Sequence, residues 1–234
     1  MKITVLHGQM HKGSTYHITE KLVNALKDDT TEVTEFFMPK DSPDYCVGCV
    51  QCILRSEENC PHVEKVRPLV RAIEDADVVI IQSPCYVYGM TGQLKVSLDH
   101  LAYRWLPHRP HPDMFRKVGV AISTAAGAGT KEVTKAIKTN MNFWGIPKVF
   151  QYGVNVRGAN WAEVNDAVKQ KADRDMKKLA SKVKGQLGRV KPNVRGRFMF
   201  GLMRKLIKSN DDWSGIDKEH WESQGWLGAK RPWR

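Results

Sequence analysis

The stretch Lys2-Ile3-Thr4-Val5-Leu6-His7-Gly8-Gln9-Met10-His11-Lys12-Gly13-Ser14-Thr15 opens the chain and decides the fold. Residues 2–7 combine the apolar Ile3, Val5 and Leu6 with the β-branched Thr4, and read as a buried strand. Gly8 to Thr15 is a loop with a glycine at its start, another near its end and two closing hydroxyls. From Ser14 the spacing changes, and Ile18, Leu22, Val23 and Leu26 fall on one helical face. Strand, glycine loop and helix in that order open a βαβ unit. Amides at a helix start carry partial positive charge, so the loop suits a phosphate. Gly8 and Gly13 permit close backbone approach, Ser14 and Thr15 offer hydroxyls, and His11 and Lys12 offer charge. An ordinary helix start with Ser14 as N-cap is the alternative reading of the same residues.

The pattern repeats along the chain. Further strands are expected at 31–37, 77–83 (stopping at Pro84), 117–123 and 148–154. Helices are expected at 14–26, 63–73, 93–103, 130–143 and 161–184, with 41–62 as loop. Alternation of apolar strands and helices predicts an α/β domain with a doubly wound parallel sheet. Ligands of such sheets bind beyond the carboxyl ends of the strands. Two more loops fall there. Ser83-Pro84-Cys85-Tyr86-Val87-Tyr88-Gly89-Met90-Thr91-Gly92 is an aromatic turn suited to stacking on a flat ring. Ser123-Thr124-Ala125-Ala126-Gly127-Ala128-Gly129-Thr130 is a small-residue loop with room for a ring system. Lys95 and Asp99 read equally well as a helix-surface pair.

Taken together, the three loops resemble those of the NADPH-dependent FMN reductase branch of flavodoxin-like proteins, and especially its iron–sulfur flavoprotein group. The similarity covers about residues 1–185, and Ser83-Pro84-Cys85-Tyr86 is its most specific part. Gln9 departs from the serine frequent in the family, and His100 from the usual arginine. The resemblance implies a flavodoxin-like five-stranded parallel sheet in the order 2-1-3-4-5. It implies FMN held by Gln9, His11, Lys12, Gly13, Ser14 and Thr15, by Pro84, Cys85, Tyr86, Val87, Tyr88 and Gly89, and by Thr124, Ala125, Ala126, Gly127 and Gly129. It also implies a homodimer or homotetramer.

Cys46, Cys49, Cys52 and Cys60, followed by Pro61, form a run of spacing C-x2-C-x2-C-x7-C. In a chain read as cytosolic, such cysteines are metal, redox or core residues before they are disulfides. The resemblance assigns them a [4Fe–4S] cluster. Zinc and a reduced thiol patch stay open as alternatives.

The net charge of +12 is uneven: residues 1–176 hold 22 basic and 20 acidic residues, and 177–234 hold the remaining +10. No acidic residue occurs from Lys177 to Asn210. The division expected is a domain at 1–187 and a basic, aromatic, helical extension at 188–234, acting as a lid or an oligomer arm. Residues 197–208 could form an amphipathic helix. Protein packing, an anionic membrane surface and nucleic acid are its three possible counterparts. Trp213, Trp221, Trp226 and Trp233 favour packing, and Trp221-Glu222-Ser223-Gln224-Gly225-Trp226 matches a pattern of family tails. No apolar run is long enough to span a membrane and no signal-peptide pattern opens the chain, so a cytoplasmic location is expected.

The implied activity is NAD(P)H-dependent flavin oxidoreduction, passing electrons from a nicotinamide to a quinone, nitro or azo compound, free flavin or protein. No side-chain acid or base is required, since the flavin carries the chemistry. An electron carrier with FMN and a [4Fe–4S] cluster is the alternative.

Overall fold

The computed structural model describes residues 1–209 and 215–234. Trp213 lies outside the described residues. Five parallel strands form one sheet: β1 (Lys2–His7), β2 (Glu32–Phe37), β3 (Val78–Pro84), β4 (Val118–Ala125) and β5 (Lys148–Asn155). Their order is β2-β1-β3-β4-β5, the flavodoxin-like order expected. β3 and β4 are buried along their whole length, which explains the apolar runs Val78–Ile81 and Val118–Ile122 that open them.

Eight helices connect and flank the sheet among the described residues. They are α1 (Ser14–Leu26), α2 (Gln51–Leu54), α3 (Val63–Asp75), α4 (Gly92–Asp99), α5 (Thr130–Phe143), α6 (Asp166–Lys184), α7 (Val194–Lys208) and α8 (Ile216–Ser223). One core joins Leu69, Ile73, Leu98, Ile137 and Trp144 to a sheet face that includes Leu6 and Ile81. A second joins Ile18, Leu22, Met176 and Val183 to Val5, Ile80 and Val120. Burying one such aliphatic side chain contributes about 1.5–3 kcal/mol.

The expected boundaries shift in places. α4 stops at Asp99, and a separate 3-10 turn covers Ala102–Arg104. α6 starts at Asp166 because Asn165 caps it, its side chain accepting from the Ala167 amide at 2.8 Å. The cysteine loop contains α2 and a 3-10 turn at Glu57–Asn59.

The extension forms a third, smaller core. Phe200, Ile207, Trp221 and Trp226 close over Leu106 and Phe115. The Trp221 indole donates to the His108 carbonyl at 2.7 Å, so its polar edge is satisfied. Phe115 precedes β4, so this core lies toward the amino end of that strand.

Candidate active site

Three loops leave the carboxyl ends of β1, β3 and β4. The register places them side by side, with His7 opposite Gln82 and Pro84 opposite Thr124.

In the first loop the N-cap of α1 is Gly13, and the helix begins at Ser14, so Ser14 is not the cap. No side chain caps α1 and no acidic residue occupies its first turn. Its leading amides are therefore open to an external anion or water. The Gly8 amide donates to the Gln82 carbonyl at 2.8 Å, and the Gly8 carbonyl accepts from the Thr91 hydroxyl at 2.5 Å. A Cβ at Gly8 would stand 2.9 Å from both partners' oxygens, so a side chain would part the loop from β3. Gln9 is buried and committed internally. Its amide nitrogen donates to the His11 carbonyl at 3.1 Å, and its oxygen accepts from the Tyr86 hydroxyl at 3.0 Å. The residue that departs from the family pattern thus fastens the second loop to the first. His11 and Lys12 are exposed, and the Lys12 ammonium lies 5.0 Å from the centre of the Tyr16 ring. Thr15 is buried, its hydroxyl 2.6 Å from that of Thr124.

In the second loop the Cys85 amide donates to the Thr124 carbonyl at 2.8 Å. Tyr86 and Gly89 exchange both backbone hydrogen bonds, each 2.9 Å long. Between them Val87 (φ 50°) and Tyr88 (φ 59°) are both left-handed. Such turns normally carry Asn-Gly, and non-glycine residues there cost about 1–2 kcal/mol each. Val87 is 99% exposed, and the rings of Tyr86 and Tyr88 are also largely exposed. A strained turn that projects apolar groups into the open has the character of a binding wall.

In the third loop Gly129 has φ 96°, and a Cβ there would overlap Cys85 Sγ and stand 3.3 Å from the Tyr88 ring. The second and third loops are therefore in contact. Ala126, Gly127 and Ala128 are exposed, and a Cβ at Gly127 would meet nothing within 4 Å. Asn155, at the end of β5, donates its side-chain amide to the Gly127 carbonyl at 2.5 Å. Asn155 and Thr91 are site-shaping residues that sequence reading missed. Both act on backbone carbonyls of distant loops, and no local pattern reveals that.

Beneath the loops His7 is buried, stacked on Phe37 with ring centres 4.3 Å apart. Gln82 donates to its Nδ1 at 2.9 Å, and its Nε2 donates to Glu35 at 2.8 Å. Burial lowers the His7 pKa below its ordinary value, with Glu35 pulling the other way. Gln82 Oε1 and Ser123 Oγ are buried at the same sheet end without a hydrogen-bond partner.

In the cysteine loop Cys46 and Cys49 are exposed, and Cys52 and Cys60 half-buried. Burial first, and the neighbouring thiols second, push Cys52 to about 11. Among the described residues no three His, Cys, Asp or Glu gather closely enough to hold a metal ion. In this arrangement the four thiols do not form a ligand set for a cluster. The loop is braced by Arg109, which donates to the carbonyls of Cys52 and Ile53 and to Asp217 Oδ1, the last at 2.6 Å. His100 is buried edge-to-face with His62, ring centres 5.2 Å apart.

Residues 1–160 match the family model of the NADPH-dependent FMN reductases. An iron-sulfur flavoprotein of Archaeoglobus fulgidus is 28% identical over 229 residues, 97% of this chain and 100% of that protein. An FMN-dependent NADH:quinone oxidoreductase of Burkholderia pseudomallei is 27% identical, over 63% of this chain and 74% of its own length. Among solved structures, an azoreductase from Bacillus anthracis superposes with a TM-score of 0.62 at 12% identity, over 78% of this chain and 99% of that one. Sheet order, strand-end loops and family match together define an NAD(P)H-dependent flavin oxidoreductase. The chain belongs to the NADPH-dependent FMN reductase family.

Proposed function

We propose that the chain holds FMN across its three strand-end loops and uses it to pass electrons from a nicotinamide to a quinone, nitro or azo compound, or free flavin. The observation that carries this reading is the uncapped start of α1 facing the strained aromatic turn at Tyr86–Gly89. When bound, FMN supplies hydride acceptance and release. The α1 amides, Ser14 and Thr15 would hold its phosphate, with His11 and Lys12 offsetting charge. Tyr86, Val87, Tyr88, Pro84, Cys85 and Gly89 would wall one side of the ring. The backbone of Thr124 to Gly129 would line the other and donate to the ring edge. Gln9 serves this site by fixing Tyr86 rather than by touching phosphate.

Purified protein titrated with FMN and then given NADH or NADPH with a quinone or an azo dye tests the proposal. Saturable binding and acceptor-dependent nicotinamide oxidation are expected. A protein that leaves FMN in solution sinks it.

The near full-length likeness to an iron-sulfur flavoprotein favours a second reading, an electron carrier in which Cys46, Cys49, Cys52 and Cys60 close around a [4Fe–4S] cluster. That reading requires the loop to rearrange from the arrangement described. Iron measured on anaerobically purified protein decides it: about four irons per chain support the carrier, and none leaves the reductase. A homodimer or homotetramer in the cytoplasm, with 188–234 bracing the 1–187 domain, completes the proposal.

A further inference from the structure

α7 has two apolar faces, and only one is used. Phe200 and Ile207 point into the extension's core, with Met199 and Met203 partly buried beside them. Val194, Phe198, Leu202 and Leu206 recur every fourth residue on another side and stay 85%, 67%, 40% and 45% exposed. They form an apolar stripe about 18 Å long. Arg195, Arg197, Lys205 and Lys208 are exposed on the same helix. The chain carries eleven Lys and Arg and no Asp or Glu from Lys177 to Asn210. The positive surface continues beyond the helix. A 540 Å³ cleft between the α7 start, α5 and β5 is lined by Lys135, Lys138, Lys148 and Arg195 and by no carboxylate.

We propose that α7 docks on an anionic lipid surface as a peripheral amphipathic helix. An apolar stripe set among cations matches the acyl boundary and headgroups of such a surface. A second copy seated on the same face would bring like charges together with no carboxylate on the helix between them. Nucleic acid would satisfy the cations and leave four large apolar groups in water. The cleft borders Lys148, where β5 begins, and the three loops lie at the other end of that strand, about 25 Å away. A docked molecule therefore keeps its strand-end loops on the aqueous side. The proposal does not depend on what those loops bind.

The test is co-sedimentation of the full chain with phosphatidylcholine vesicles and with mixed phosphatidylcholine–phosphatidylglycerol vesicles. Binding to the mixed vesicles is expected to be at least about tenfold stronger and to be lost near ~1 M salt. Phe198→Glu with Leu202→Glu should abolish it while keeping the melting temperature, since both side chains are exposed. Equal binding to both vesicles, binding to neither, or binding retained by the double variant overturns the proposal. So does a double variant that turns an oligomer into a monomer on size exclusion, which would assign the stripe to a second copy.

Discussion

Gly129 and Gly127 lie two residues apart in one loop and meet different neighbours. Gly129 is left-handed, and a Cβ would overlap Cys85 Sγ, whereas Gly127 faces open space. Gly129→Ala should destabilise the fold by about 2–4 kcal/mol, from backbone strain and overpacking combined. It should also weaken FMN binding, because loops two and three would part. Gly127→Ala should leave the melting temperature unchanged. Thermal melts of both variants, with and without FMN, check this. His7 gives a pH prediction. Its folded pKa lies below the ordinary 6.5, so the unfolded chain takes up the proton first as pH falls. The stability that neutral His7 contributes is complete above about 6.5 and drains away below it. His100 and His220 are shifted the same way by burial. Melting temperature should therefore drop as pH falls below about 6.5, and His7→Asn should make the drop shallower. At this scale the sequence told which residues line the loops but not what each does. Gly13 rather than Ser14 caps α1, and Gln9 turns inward to Tyr86, because both outcomes depend on loops that meet only in three dimensions.

At the scale of elements, strands were the most legible. β3 and β4 are buried throughout, and the apolar runs that open them, Val78–Ile81 and Val118–Ile122, admit few other readings. Helix ends were less so, because α4 ends where a 3-10 turn takes over the same apolar spacing. The turn at Tyr86–Gly89 was legible as an aromatic strand-end turn but not as a conformation. Its geometry asks for Asn-Gly, and the chain supplies Val-Tyr. Local rules broken without a packing reward point to function. Val87→Asn tests that trade. Asparagine tolerates the left-handed region, so stability should rise by about 0.5–1 kcal/mol. FMN affinity should fall several-fold as an apolar contact is replaced by a polar one. A thermal melt and a flavin titration on the same sample check both halves. A rise in stability with unchanged affinity would mean that Val87 does not touch the ring.

At the scale of the molecule, the C-terminal extension and the cysteine loop are one mechanical unit, joined through a salt bridge that no sequence window contains. Arg109 and Asp217 are 108 residues apart, both nearly fully buried, and 2.6 Å from contact atom to contact atom. Asp217 also accepts from His108 at 2.7 Å, and the other end of the Arg109 guanidinium holds the Cys52 carbonyl. Removing the carboxylate leaves the buried guanidinium with only the longer pair to Glu57, 3.4 Å away, and leaves His108 without its acceptor, which together cost up to about 3–5 kcal/mol. Part of that cost can be relieved if Arg109 swings to water, and the Cys52 and Ile53 carbonyls then lose their donor. Asp217→Ala should therefore do two things at once: lower the melting temperature and speed the reaction of Cys52 with a thiol reagent at constant pH. Cys46 and Cys49 are exposed already, so their labelling should change little. Replacing both partners, Arg109→Met with Asp217→Leu, removes both buried charges and should recover most of the stability. It should not restore slow labelling, since methionine offers the carbonyls no donor. Recovery of stability together with slow labelling would show that packing alone holds the cysteine loop, and that Arg109 is not its brace.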